Sequence, residues 1–139
     1  MRALCADSRC AVVYNGARAA LEGELSKQTP FAFDLDDEDS ISAAAAKIAS
    51  EGVVHLVVVA TGVLHDASMQ PEKTWRSLHP ESLMRAFTIN AIGPALIAKH
   101  VLPHLSLTEK TVFAALSARV SSISDNRLGG WHAYRASKA

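Results

Sequence analysis

Four short apolar runs divide the chain into candidate strands. Three of them are rich in β-branched residues, Ala11 to Tyr14, Val53 to Val59 and Thr111 to Leu116, and a weaker one is Phe31 to Phe33. Their hydrophobicity is nearly continuous rather than alternating, which is typical of parallel strands covered on both faces. We therefore predict a parallel sheet built from these runs.

Helical patterns lie between the runs. Asp39 to Ser50 is alanine-rich and is followed by Gly52, while Ser82 to Leu105 is amphipathic and is interrupted by Gly93-Pro94. The polar stretch His65 to Pro80 is interpreted as a long loop. Alternating strands and helices predict an α/β fold, a three-layer, Rossmann-like doubly wound parallel sheet with right-handed crossovers. Residues 1–139 contain no linker that would divide them, so we expect one domain.

The first part of the chain has no phosphate-binding motif. A nucleotide-binding fold of this class begins with a strand and a glycine-rich turn. The first glycine is Gly16, and neither G-x-x-x-G-x-G nor G-x-G-x-x-G occurs. Met1 to Arg9 is interpreted as the end of a helix already under way. We therefore expect a truncated domain that lacks the first strand and the strands after Ala139, with little activity of its own.

Composition and charge exclude several classes of function. The 139 residues are 49% hydrophobic and 20% charged, which is ordinary for a soluble globular domain. Fourteen basic residues balance fourteen acidic ones without a basic run, so a nucleic-acid partner is not expected. The apolar runs are too short to cross a membrane, no secretory signal is visible, and we expect a cytoplasmic protein. Nothing in the spacing of His and Cys supports a metal site.

The closing stretch carries the strongest chemical signal. Tyr134 and Lys138 are four residues apart, so a helix places them on one face. An ammonium group near a phenol favours the phenolate and lowers the pKa of the phenol, which suits it to proton transfer near neutral pH. The alternative is an exposed aromatic residue beside a solvated lysine. A serine-rich loop and Gly129-Gly130 precede the pair, and Asn90 lies in the long helical pattern without a propensity reason.

Strand, serine loop and Tyr134-Arg-Ala-Ser-Lys138, in this order, resemble the short-chain dehydrogenase/reductase family. The run Ser121-Ser122-Ile123 with Gly129-Gly130 is similar to its C-factor and sniffer-type carbonyl reductases. The resemblance implies hydride transfer between NADP or NAD and a small carbonyl or alcohol substrate. It also implies that Tyr134 is the general acid/base, that Lys138 lowers its pKa and contacts the nicotinamide ribose, and that Asn90 supports a proton relay. A homo-oligomer is typical of the family.

The resemblance assigns further residues to the cofactor. Asp34 and Leu35 match an acidic and an apolar residue that contact adenine, and the alternative is a plain turn at the end of a strand. Ala60 and Thr61 stand where asparagines are usual, and Gly62 matches the glycine that lines the cofactor. Arg18 matches a basic residue that contacts the 2′-phosphate, which slightly favours NADP, and an ordinary surface arginine is the alternative.

The catalytic serine is not unique in the sequence. Ser121 and Ser122 fit the usual spacing before the tyrosine, whereas Ser117 lies at the end of the strand, and we favour Ser117 over Ser122. The main alternative function is a catalytically inactive remnant of the family with at most a binding role. A nucleotide-sugar epimerase also uses Y-x-x-x-K, but the serine, glycine and Tyr-Arg-Ala-Ser-Lys pattern argues against it.

Overall fold

The structure is a computed structural model that describes residues 1–19 and 26–139. Within these ranges the chain contains both helices and strands, as the apolar runs and helical patterns predict. The elements in chain order are helix α1 (Arg2–Ala6), strands β1 (Val13–Ala17) and β2 (Gln28–Ala32), helix α2 (Glu38–Glu51), strand β3 (Leu56–Val59), helix α3 (Pro80–Phe87), a π-helical turn (Thr88–Ile92), helix α4 (Gly93–Val101), strand β4 (Val112–Ala115) and helix α5 (His132–Lys138).

The strands of the described chain form two parallel pairs. β1 pairs with β2, with Val13 opposite Gln28, and β3 pairs with β4, with Leu56 opposite Val112. β3 and β4 pair in parallel and are separated by α3 and α4, which agrees with the predicted Rossmann-like α/β class.

The segments that follow β2 and β3 both contact the long helical stretch around Gly93. Leu35, just after β2, packs so closely on Gly93 that a Cβ on Gly93 would lie 3.0 Å from Leu35 Cδ1. Val63, just after β3, is hydrogen-bonded to Asn90, three residues before Gly93. The carboxyl ends of β2 and β3 therefore meet the same part of the long helix, which is the edge where folds of this class place their ligands.

The first strand differs from its predicted bounds. We predicted Ala11 to Tyr14, whereas β1 begins at Val13 and continues through Gly16 and Ala17. Gly16 pairs with Phe31 of β2, and glycine fits there because a Cβ would lie 2.4 Å from Phe31 Cζ. Apolar runs identify strands by their large buried side chains. A strand position that requires a glycine therefore gives no such signal.

Helix α2 ends where its sequence signals predict. The Asp37 carboxylate accepts hydrogen bonds from the amides of Asp39 and Ser40 at the start of the helix, and Gly52 follows its last residue. α2 and α4 pack over a shared core beneath both strand pairs, formed by Leu35, Ile41, Val59, Ile89 and Ile97. This core therefore joins α2 and α4 to the segment after β2 and to the second strand pair. That the chain is one domain stays a prediction.

The second strand pair is covered on one face by the described residues. Val57, Val59 and Phe113 belong to or pack against the shared core. On the opposite face Leu56 and Val58 are each 47% exposed and Val112 is 43% exposed. The apolar runs predict that other elements pack on both faces of the strands. The exposed face of β3 and β4 therefore differs from this prediction. Among the described residues, no helix combines the length and apolar character needed to cross a membrane.

Candidate functional site

Asn90 occupies the π-helical turn between α3 and α4 and is 6% exposed. Its Oδ1 accepts a hydrogen bond from the Val63 amide at 2.8 Å, and its Nδ2 donates to Val63 O at 2.9 Å. The same Nδ2 donates to Ser137 Oγ at 2.9 Å. π-helical turns inside longer helices are frequently found at functional sites. Here the Asn90 side chain joins the end of β3 to α5.

The turn also explains Gly93-Pro94, which the sequence places inside one long helix. α4 begins at Gly93, so Pro94 falls in the first helical turn, where the missing N–H costs little. The helix is therefore re-started rather than broken. The glycine has a separate role, since Leu35 fills the space in which its side chain would lie.

Lys138 lies 8% exposed at the carboxyl ends of β3 and β4. Its Nζ donates to Thr61 O at 3.1 Å and to Leu116 O at 2.8 Å. Burial lowers the pKa of Lys138 from the ordinary lysine value. An ammonium group has three N–H donors, so one donor remains after these two bonds.

Gly62 permits this arrangement. A Cβ on Gly62 would lie 3.1 Å from Lys138 Nζ and 3.3 Å from Asn90 Oδ1. Any side chain at position 62 would therefore crowd the Lys138 ammonium and the Asn90 amide, both of which stand out in the sequence. The neighbouring Ala60 is exposed, while Thr61 Oγ1 is buried and makes no hydrogen bond within the described chain. The predicted run Ala60-Thr61-Gly62 thus lies directly beside Lys138.

Tyr134 lies on α5 one turn before Lys138, as their spacing predicts. Its ring meets the Trp131 ring edge-on, with the centroids 6.4 Å apart. Among the described residues the Tyr134 hydroxyl makes no hydrogen bond, and the lysine ammonium is bound to strand-end carbonyls instead of to the phenol. The role of Tyr134 as an acid/base stays a prediction.

The candidate serines separate into two settings. Ser117 Oγ donates to Lys138 O at 2.5 Å and lies 3.0 Å from Ser121 Oγ, so both serines adjoin α5. Ser122 Oγ instead accepts from the Asp125 amide at 3.1 Å, as part of a turn. All three line one open cleft of about 650 Å³ beside the serine loop. Whether Ser117 or Ser122 acts in catalysis stays a prediction.

The residues predicted to contact the adenine half of the cofactor lie around β1 and β2. Arg18 directly follows β1 and is exposed. The Asp34 amide donates to Ser40 Oγ at 2.9 Å, and Asp34 Oδ1 accepts from the Asp36 amide, so the alternative of a strand-end turn holds for its backbone. Leu35 is buried in the shared core. The cofactor contacts of Arg18, Asp34 and Leu35 stay predictions.

Sequence reasoning gave no role to three residues that hold the site. Ser137 receives the Asn90 hydrogen bond, Glu72 contacts the first turn of α5, and Arg135 binds backbone carbonyls of the adjoining loops. Ser137 lies inside the recognised Tyr-Arg-Ala-Ser-Lys run and could have been singled out. A glutamate in a polar loop carries no sequence signal for burial. In the part of the chain that the structure describes, no cluster of metal-binding side chains occurs.

The chain is similar to known oxidoreductases. It is 29% identical over 133 residues to the 1-hydroxy-2-glutathionyl-2-methyl-3-butene dehydrogenase of Rhodococcus sp. (strain AD45), over 96% of this chain and 54% of that protein. The chain thus spans about half the length of this relative. In fold it is similar to the carbonyl reductase Sniffer of D. melanogaster, with a TM-score of 0.71 and 20% identity, over 81% of this chain and 49% of that one.

A further similar fold is the NADPH-bound carbonyl reductase from chicken fatty liver, with a TM-score of 0.74 and 22% identity, over 92% of this chain and 57% of that one. At such identities the likeness concerns the fold. The model of the short chain dehydrogenase family matches residues 6–139, which is nearly the whole chain and includes every candidate site residue. The chain therefore belongs to the short-chain dehydrogenase family.

Proposed function

We propose that this chain carries the proton-transfer site of an NAD(P)-dependent oxidoreductase that interconverts a carbonyl and an alcohol. The observation that carries the proposal is the convergence of Asn90 and Lys138 on the carboxyl ends of β3 and β4, one helical turn from Tyr134. A buried ammonium and a buried amide are rarely assembled for stability alone, because each must be compensated by hydrogen bonds.

The residues at this edge fit a dinucleotide cofactor. Lys138 retains one N–H donor, Thr61 Oγ1 is a buried hydroxyl without a partner in the described chain, and Gly62 leaves the backbone accessible. These groups suit the hydroxyl-rich ribose next to a nicotinamide ring. The cofactor, when bound, supplies or accepts the hydride. Arg18 supports NADP over NAD, because a guanidinium binds a phosphate with two parallel hydrogen bonds.

Tyr134 is proposed as the acid/base. In reduction its hydroxyl gives a proton to the carbonyl oxygen, and in oxidation the phenolate takes the proton from the alcohol. The positive charge of Lys138 stabilises the phenolate, and the hydroxyl of Ser117 or Ser122 donates a hydrogen bond to the oxygen that gains negative charge. The substrate class is a small carbonyl or alcohol compound, in keeping with the family.

The experiment is NADPH-dependent reduction of a panel of small aldehydes and ketones, measured as loss of NADPH absorbance. We expect slow turnover that falls about 100-fold or more in Tyr134→Phe, because a positioned acid contributes about 10²–10⁴-fold. Tyr14→Phe is the matched control, since the Tyr14 hydroxyl bonds to Glu51 on α2 and touches none of the site residues. Equal rates in wild type and Tyr134→Phe would remove Tyr134 from the mechanism.

A chain that binds the cofactor without turnover is the second candidate. It is favoured by the arrangement of the described strands in two separate pairs and by the lack of a glycine-rich phosphate-binding motif anywhere in the sequence. Saturable NADPH binding without reduction of any compound in the panel would select this candidate. A homo-oligomeric state and a cytoplasmic location stay predictions.

A further inference from the structure

A left-handed turn precedes α5. Gly129, Gly130 and Trp131 have φ values of 63°, 64° and 54°. Glycine adopts this region without penalty, but a bulky residue such as Trp131 does so only when surrounding contacts hold it there. Such held residues cluster at functional sites. The contacts that hold Trp131 therefore also fix where the catalytic helix begins.

Glu72 provides two of these contacts from the long loop before α3. Its backbone O accepts a hydrogen bond from the Trp131 amide at 2.6 Å, and its Oε2 accepts from the Ala133 amide at 3.3 Å. Trp131 is the N-cap of α5 and offers no side-chain acceptor of its own. A carboxylate brought in from the loop takes that place, and its charge suits the positive end of a helix.

Glu72 is also an unusual residue to bury. It is 5% exposed, and its Oε1 is buried without a hydrogen-bond partner among the described residues. Buried carboxylates are rare unless their oxygens are satisfied, because desolvation disfavours them. A stability argument alone would favour an uncharged side chain at this position. The side-chain acceptor that Glu72 supplies to the Ala133 amide therefore indicates a task beyond packing.

Arg135 holds the same turn from the other side. Its Nε donates to Gly130 O at 2.8 Å and its Nη2 donates to Gly129 O at 3.2 Å. Its Nη1 donates to Val120 O in the serine loop. The turn is thus held through the Trp131 amide by Glu72 and through the Gly129 and Gly130 carbonyls by Arg135. Arg135 also ties it to the loop that carries the candidate serines.

We propose that Glu72 is a positioning residue of the Tyr134 site, acting through the left-handed turn Gly129–Trp131. Its carboxylate and backbone carbonyl fix the position of the first turn of α5. The Trp131 ring then packs against the Tyr134 ring and fixes the orientation of the phenol. The effect on turnover rests on the function proposed above. The effect on the placement of Tyr134 does not, and it can be measured without any reaction.

The test uses the chain labelled with 3-fluorotyrosine and observed by ¹⁹F NMR. The sequence has two tyrosines, so the variant Tyr14→Phe assigns the Tyr134 signal. Glu72→Ala is expected to shift or broaden the Tyr134 signal and leave Tyr14 unchanged. Glu72→Gln is expected to keep the wild-type signal, because the amide oxygen can still accept from Ala133. Glu81→Ala, which alters an exposed glutamate in the first turn of α3, is the control and should move neither signal.

A pair of glycine variants tests the turn without removing the carboxylate. A Cβ on Gly130 would lie 3.0 Å from Glu72 O, whereas a Cβ on Gly129 would meet no atom within 4 Å. Both positions have the same positive φ, so Gly129→Ala carries the backbone penalty alone. Gly130→Ala is therefore expected to disturb the Tyr134 signal more than Gly129→Ala does. This comparison tests whether the turn positions Tyr134 even if Glu72→Ala does not fold.

Turnover supplies the second readout. In protein with measurable reduction, Glu72→Ala should lower kcat about 10- to 100-fold with KM changed less than about threefold, because misplacing a catalytic group affects the chemical step. An unaltered Tyr134 signal in folded Glu72→Ala, or equal effects of the two glycine variants, would overturn the proposal. Absence of turnover in every variant would count against the proposed function and leave the NMR result standing.

Discussion

Asn90 and Ser137 are 47 positions apart in the chain, and the Asn90 Nδ2 donates a 2.9 Å hydrogen bond to the Ser137 hydroxyl. The same amide binds both the N–H and the C=O of Val63. One side chain therefore joins the end of β3, the π-helical turn and α5. Since α5 carries Tyr134 and Lys138, the amide fixes the position of these two residues relative to β3.

Asn90→Ala should destabilise the fold, because it leaves the Val63 N–H and C=O without partners. An unsatisfied buried polar group costs about 1–3 kcal/mol, and urea unfolding measures the loss. Asn126→Ala is the control, because its exposed side chain makes a single described bond, to the Gly129 amide. Its expected loss is about 0.5 kcal/mol or less. Equal losses for the two variants would argue against a special role for Asn90.

Gly62→Ala should act mainly through Lys138. The added methyl group would lie 3.1 Å from Lys138 Nζ, so the ammonium must move away from its two carbonyl partners. A double-mutant cycle with Lys138→Ala measures this dependence. We expect the destabilisation by Gly62→Ala to be smaller when Lys138 is already alanine. Additive effects would show that the crowding has another source.

Burial of Lys138 makes stability depend on pH in the alkaline range. Because burial lowers its pKa, the folded chain releases this proton at a pH where the unfolded chain still binds it. The unfolded state then holds more protons, so the free energy of unfolding rises with pH between the lowered value and about 10.4. The extra stability is fully present above the pKa of Lys138 in the unfolded chain, and it is lost as the pH falls through the lower pKa of Lys138 in the folded chain.

Lys138→Met should lack this dependence. Urea unfolding at several values between about pH 8 and 10.5 should show the stability of wild type rising relative to Lys138→Met. Lys110→Met, which changes an exposed lysine, is the control and should run parallel to wild type. A constant difference between wild type and Lys138→Met would contradict the burial of a charged Lys138.

Glu38 gives a dependence of the same sign in the acid range, because its pKa is also lowered in the folded chain. It begins α2 and accepts hydrogen bonds from Lys99 Nζ at 2.6 Å and His100 Nε2 at 2.8 Å near the end of α4, which lower its pKa. The stability from this carboxylate is therefore present above about pH 4.3 and is lost as pH falls through the lowered value.

Thermal unfolding of Glu38→Gln should show this loss. Its melting temperature should be below that of wild type near neutral pH, and the two should converge as the solution is acidified. Glu81→Gln, which alters an exposed glutamate, should not show this convergence. A gap that persists unchanged in acid would mean that the carboxylate charge does not tie α2 to α4.

The sequence predicts most of the fold because its signals are local. Apolar runs mark β3 and β4, and the alanine-rich run Asp39 to Ser50 with Gly52 after it marks α2 to within one residue at each end. β1 is displaced from its prediction because Gly16 and Ala17 pair with β2 through their backbones and carry no apolar signal. The family predicted from Tyr-Arg-Ala-Ser-Lys and the serine loop is confirmed by the match to the family model.

The support around the site is harder to predict. Asn90 and Lys138 stand out in the sequence, because an asparagine is unexpected in a helix and the lysine closes a four-residue spacing. Glu72 carries no such signal, since its partners lie about sixty positions away. Contacts between a loop and a distant helix leave no periodic pattern. Only the folded arrangement reveals them.

NADPH binding, followed by the fluorescence of the reduced nicotinamide, tests the central claim most directly. The claim is that Lys138 and its neighbours at the ends of β3 and β4 form a cofactor site. The account predicts saturable binding that weakens about 10-fold or more in Lys138→Met, since a charged hydrogen bond contributes about 1.5–3 kcal/mol. The control Lys110→Met should bind as wild type does. No saturable binding, or equal affinity in Lys138→Met, would contradict it.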